Sequence, residues 1–160
     1  MKSPDELLAE VIAEARKLKI PVSDMILPRV KINSRAVSRF GCCTRRPDGR
    51  YEIELSARLL EASEHMQRRT LAHEVLHTCY GCRRHGQRWK LYAERMNAAY
   101  GYSISRTGSY EKAGIEPPET KYLVVCTSCG AEFKRMKMSS LVQHPERYRC
   151  RCGGDLQRKR

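Results

Sequence analysis

The chain has 160 residues, enough for one ordinary domain or for a domain of about 110 residues with a small appendage. Its 41% hydrophobic content supports a modest core, but two Phe and one Trp leave that core to Leu, Ile, Val, Met and Tyr. No stretch approaches the ~20 apolar residues of a membrane span, and the N-terminus MKSPDELLAE lacks the apolar run of a secretory signal.

These features predict an intracellular, cytoplasmic protein without membrane association; a nucleoid or nuclear location would also fit, and a monomer is the working expectation although the sequence does not give the oligomeric state. In a reducing compartment, eight cysteines point to metal ligands or free thiols rather than disulfides. The formal charge of +13 survives metal binding, because a four-thiolate zinc site and a three-histidine zinc site carry opposite charges that cancel. Such an excess predicts a polyanionic partner, most simply nucleic acid.

In chain order, SPDELLAEVIAEARKLK reads as a first helix. Ser3 can cap it, Pro4 suits its first position, and Glu6 completes a capping box. Leu7, Leu8, Val11, Ile12, Ala15 and Leu18 form one apolar stripe at helical spacing. Then RVKIN and AVSRFGCCTRRPDGRYEIELS read as a small antiparallel sheet across residues 29 to 55. RPDGR supplies a turn, and Tyr51, Ile53 and Leu55 alternate with Glu52 and Glu54 as in a half-buried strand. Ser56 can cap a short helix ARLLEA. Longer helices are expected over about 67 to 80 and 86 to 100, the latter stopped by Gly101.

Within the first of these, HEVLH places His73 and His77 four residues apart, one turn above the other on one face. Two such imidazoles can share a zinc ion, and Glu74 can stand beside the metal as a base for a water without ligating it. A hydrolytic site needs a third protein ligand and one open position. His85, Cys82 and Glu94 are the candidates. His85 is favoured because the chain can leave the helix at Gly81 and return, and His-Gly lets the backbone approach the metal closely. Metzincin spacing requires a histidine at position 83, where this chain has Arg83. Cys42, Cys43, Cys79 and Cys82 could form another metal site but read better as partly buried free thiols.

Residues 103 to 120, SISRTGSYEKAGIEPPET, show no periodicity and contain a Pro pair, as a linker would. Three segments follow: 1–102, a linker at 103–120, and 121–160. The last carries ten Lys/Arg against four Asp/Glu from residue 119 onward, net +6. It also holds C-x-x-C, a 20-residue gap and C-x-C-G-G. Two cysteine pairs separated by a hairpin-sized insert read as a zinc ribbon on Cys126, Cys129, Cys150 and Cys152, with His144 as a substitute if the tight second pair is strained. So small a unit depends on metal for much of its stability. Lys134, Arg135, Lys137, Arg147, Arg149 and Arg151 are candidate phosphate contacts. Tyr122, Phe133 and Tyr148 could stack on bases or pack the ribbon. No base-reading motif accompanies them, so DNA binding should be non-specific and salt-sensitive.

The stretch LAHEVLHTCYGCRRHGQRW resembles the SprT-like zinc metallopeptidases, related to Spartan, which carry HExxH, a variable spacer and H-G-x-x-[FW]. His85, Gly86 and Trp89 match the second element. SRFGCC, YEIELSARLL and RRTLAHE match the lead-in, so the resemblance spans about residues 5 to 155. The family often has Pro after His-Gly; Gln87 stands here. The resemblance implies an α+β fold: a zincin-like metalloprotease core of helices and a small antiparallel sheet, followed by a β zinc ribbon. It implies His73, His77 and His85 as catalytic zinc ligands, Glu74 as catalytic base, and two zinc ions per chain, one catalytic and one structural. It also implies an endopeptidase acting on DNA-associated or DNA-crosslinked protein. Tyr80, Tyr92, Arg83, Arg84 and Arg88 are candidate oxyanion donors. The rival expectation is a non-catalytic zinc-ribbon protein that binds nucleic acid or regulates; a third is a hydrolase of non-peptide substrates.

Overall fold

A computed structural model describes residues 1–160, which divide into two compact units, Met1–Pro117 and Pro118–Arg160. The class is α+β. No helix is long and apolar enough to cross a membrane.

The first unit opens with α1, Pro4–Lys17. Its capping box forms as the sequence predicts: the Ser3 amide donates to Glu6 Oε2 at 2.7 Å, and the Glu6 amide donates to Ser3 Oγ at 3.3 Å. Leu7, Leu8, Val11 and Ala15 are buried, with Ile12 and Leu18 packed at the margin of the core.

Three strands follow: β1 Lys31–Asn33, β2 Gly41–Arg45 and β3 Tyr51–Ser56. β2 and β3 form the expected antiparallel hairpin, closed by the Arg46 amide on Arg50 O at 2.7 Å and by Gly49 at φ 87°. The sheet as a whole is mixed rather than antiparallel, because β1 lies on the far edge of β3 and runs parallel to it. Residues 34–40 carry the chain from one edge to the other, tied down where Ser56 donates from its Oγ to Ala36 O and from its amide to Phe40 O, both at 2.7 Å. In the central strand β3, Ile53 and Leu55 are buried, and so is Glu54, whose carboxylate is held by Asn33 and Arg39.

A 3-10 turn at Ala57–Glu61, capped by Ser56, leads to α2, Glu64–Leu76. This helix starts earlier and stops earlier than its periodicity suggests. Ser63 accepts the Met66 amide at 3.3 Å and fixes the start. At the other end the chain leaves the helix after His77, and Gly81 turns it at φ 73°. α2 is the central element, packed against α1 and against β2 and β3. It is accordingly buried nearly all round, including Gln67, Thr70 and Glu74. Then α3, Gln87–Tyr100, ends at Gly101 in the left-handed region, φ 68°.

Residues 103–117 fold back onto this first unit. Ile104 is buried and exchanges two hydrogen bonds with the Asn97 side chain, at 2.6 and 3.0 Å. α4, Tyr110–Ala113, sets the Tyr110 ring edge-on to Phe40 at 5.0 Å. Side-chain-to-backbone bonds replace a repeating pattern here, so the segment reads as featureless in sequence.

The second unit is a three-stranded antiparallel sheet ordered β5-β4-β6: β4 Tyr122–Cys126, β5 Glu132–Arg135 and β6 Leu156–Arg158, with α5 at Ser140–Gln143. Its buried core is only Val124, Cys126, Val142, Cys150 and Leu156. That core is too small to fold a 43-residue unit unaided.

Candidate metal and catalytic site

Helical spacing at the end of α2 sets the His73 and His77 rings edge-on at 5.1 Å, and the loop after Gly81 returns His85 to within 4.9 and 4.7 Å of them. The ligand atoms of the three all lie within 4.8 Å of one another, and His85 Nε2 is 2.9 Å from His73 Nε2. Three nitrogens on a tetrahedral zinc stand roughly 3.3 Å apart, given Zn–N near 2.0 Å, so the cluster fits a metal. Cys82 and Glu94 are not part of it.

Hydrogen bonds fix the tautomers. His73 Nδ1 lies 2.9 Å from Ser105 O, and His77 Nδ1 lies 2.7 Å from Cys82 O. A carbonyl oxygen only accepts, so each Nδ1 carries the proton and each Nε2 presents a bare lone pair, the state a metal requires. Thus Cys82 contributes through its backbone, not its sulfur.

Electrostatics agrees. Burial, then the neighbouring His77 and His85, pushes His73 down to about 4. Burial also lowers His77, against the hydrogen bond to Cys82 O, and lowers His85, helped by His77, Arg106 and Lys90. All three imidazoles are therefore neutral at pH 7 and able to ligate. Beneath them Trp89, 2% exposed, lies 4.6 to 5.7 Å from the three rings and donates from Nε1 to His73 O at 3.4 Å.

Glu74 follows His73 on α2 and lines the same cleft, about 310 Å³ in volume. Burial raises its carboxyl to about 7, with Arg39 pulling the other way. A carboxyl titrating near neutrality can both take and return a proton. Arg39 is itself held by Glu54 at 2.9 Å, and Asn33 donates to the same oxygen at 2.9 Å. Arg39, Arg106 and the Ser105 carbonyl carry no motif; only SRFG pointed near the first. Among the proposed oxyanion donors, Arg88 is bound to Tyr80 O at 3.1 Å, Tyr80 is 88% exposed, and Tyr92 packs on the core. Arg83 and Arg84 line a depression beside His85.

In the second unit Cys126, Cys129, Cys150 and Cys152 converge, with Cys126 Sγ 3.5 Å from Cys152 Sγ and Cys129 Sγ 3.6 Å from Cys150 Sγ. Disulfides are excluded at that distance, whereas tetrahedral thiolates at 2.3 Å from zinc stand roughly 3.8 Å apart. The Ser128 and Cys129 amides donate to Cys126 Sγ at 3.4 and 3.5 Å, and the Cys129 amide leads in lowering that thiol to about 6. Gly154 has no room for a side chain: a Cβ would meet Cys126 Sγ at 2.7 Å. His144 turns to Glu146 instead, at 3.2 Å, outside the cluster.

Cys42, Cys43, Cys79 and Cys82 join no metal-holding group and are free. Burial pushes the Cys43 and Cys79 thiols up to about 12. The six basic candidates, Lys134, Arg135, Lys137, Arg147, Arg149 and Arg151, are all exposed, with Arg149 paired to Asp155. Tyr122 and Phe133 pack on the small core, leaving Tyr148 as the exposed ring.

A family model described as the SprT-like family matches residues 15–108, more than half of the chain. No curated protein and no solved structure matches it.

Proposed function

Since the chain belongs to the SprT-like family, we propose that it is a zinc-dependent endopeptidase acting on DNA-associated or DNA-crosslinked protein. The observation that carries this reading is the convergence of His73, His77 and His85, with Glu74 next to His73 on α2 and lining the same cleft as it.

In this reading His73, His77 and His85 would hold a zinc ion, with His73 and His77 oriented for it by their Nδ1 hydrogen bonds. When bound, zinc supplies Lewis acidity, which acidifies water and polarises a carbonyl. Glu74 takes the proton from the attacking water and passes it to the leaving amine. Ser105 O and Cys82 O keep the two helix imidazoles oriented, and Trp89 shields them from bulk water. The cysteine cluster holds a second zinc that staples the ribbon. The exposed basic residues of the ribbon contact phosphates without reading bases, which concentrates cleavage on protein bound to DNA.

The test is Glu74→Gln in the full chain. It should retain two zinc ions and lose cleavage of a DNA-bound protein substrate; undiminished cleavage would sink the mechanism. The second reading, a non-catalytic nucleic-acid-binding zinc protein, draws on the same basic surface. It predicts DNA binding by wild type with no cleavage of any polypeptide.

A further inference from the structure

A second depression, about 470 Å³, is lined by Arg83, Arg84, His85, Gly86 and Arg106. Arg106 also lines the cleft that holds His73 and Glu74. With His85 Nε2 2.9 Å from His73 Nε2, the depression and the cleft adjoin through the histidine cluster.

The charge around this junction is one-sided. The depression has no carboxylate in its lining, and the cleft has only Glu74. Arg83, Arg84 and Arg106 are exposed, and none of them enters an ion pair. The arginines nearest the cleft on other elements are committed, Arg39 to Glu54 and Arg69 to Ser105 Oγ, and Arg88 on α3 is bound to the Tyr80 carbonyl. Three guanidiniums without a carboxylate partner on one concave surface give it a positive potential that favours an anion. Gly86 leaves the floor open, since nothing lies within 4 Å of where its Cβ would be.

We propose that this depression is a substrate subsite that selects an acidic side chain, Asp or Glu, near the bond to be cut; the proposal rests on the peptidase reading above. An extended polypeptide advances about 3.3 Å per residue, so a residue one or two positions from a carbonyl at the histidine cluster reaches the arginines. The guanidinium fork matches a carboxylate through two parallel hydrogen bonds. A nucleic-acid strand fits less well. It would fill the space the substrate needs beside His85, the lining has no Phe, Tyr or Trp on which a base could stack, and strand binding needs basic groups tracking several nucleotides.

The test maps every bond that the zinc-loaded full chain cuts in a peptide library, alongside an Arg83→Glu/Arg84→Glu variant of equal zinc content and melting temperature. Wild type should enrich Asp and Glu about tenfold or more at one fixed position relative to the cut bond. The variant should abolish that enrichment and favour Lys or Arg there. Arg106→Glu alone, and Arg83→Ala/Arg84→Ala, should weaken it and serve if the double reversal fails to fold. Independently of turnover, Glu74→Gln should bind an Asp-rich ten-residue peptide about tenfold or more tighter than its Lys counterpart. Cleavage without acidic preference, or a preference unchanged in the arginine variants, overturns the subsite while leaving the peptidase standing. Loss of oligothymidine binding in the double variant with an unchanged cleavage map overturns it in favour of a phosphate site. Wild type that cuts nothing removes the peptidase reading, and the subsite with it.

Discussion

Gly41 lies directly against Glu74. A Cβ at position 41 would stand 3.0 Å from both Cγ and Oε1 of Glu74 and 2.9 Å from Thr70 Cγ2. Strand β2 therefore presses its backbone onto the carboxylate, and the missing side chain defines where that carboxylate can sit. Gly41→Ala should displace Glu74 while leaving the histidines untouched. Cleavage should fall on the order of tenfold or more with zinc content unchanged. An alanine variant of full activity would mean that Glu74 does not depend on this contact.

Glu74 also makes a prediction about stability. Its folded carboxyl titrates at about 7 against an ordinary 4.5. Between those values the native state holds a proton that the unfolded chain has released, so this group withdraws stability as pH rises through the window. The depressed histidines work in the opposite sense, because the unfolded chain there binds the extra protons. Comparing metal-free wild type with metal-free Glu74→Gln isolates the carboxyl. The variant should gain on the order of 2–3 kcal/mol at pH 8 and little at pH 4, read as midpoints of urea unfolding. Equal midpoints at pH 8 would show that the buried carboxylate is not strained.

Arg39 opposes burial at Glu74. Removing a cation beside a carboxyl disfavours its ionised form. Arg39→Met should therefore move the acid limb of the pH–activity profile to higher pH. An unmoved limb would assign that limb to another group.

Metal analysis separates the two clusters. Wild type should carry two zinc ions, His85→Ala one, and Cys126→Ser/Cys129→Ser one. Only the cysteine variant should unfold the second unit, visible as lost amide protection across β4 to β6, because the five buried residues there cannot hold it alone. Protection that survives the cysteine variant would refute the staple.

DNA affinity should fall steeply with salt and be indifferent to sequence. Lys134→Glu/Arg135→Glu should lower it uniformly across oligonucleotides and flatten the salt slope. A variant that changed preference between sequences would contradict backbone-only contact.

How far the site could be read from sequence depended on which atoms carry it. His73, Glu74 and His77 were readable because a helical repeat dictates their placement, and His85 because His-Gly-x-x-Trp is a motif of side chains. Their orienting partners are the carbonyls of Ser105 and Cys82. Every residue has a carbonyl, so no residue type announces one. The same limit hid residues 103–117, whose order comes from Asn97 and Tyr110 bonding to backbone. The α1 cap and the Gly49 turn were legible because they are local. β1 was not, since three residues cannot declare the direction in which they will pair with a distant strand.

The placement of Trp89 gives the molecule a built-in optical probe. It is the sole indole in the chain, sheltered from solvent and within 5.7 Å of each imidazole. Its emission is thus expected to respond to the state of those three rings. If the histidine cluster takes up a metal, its loading and stripping should be readable in real time by ultraviolet fluorescence, with no label and no interference from a second emitter of its kind.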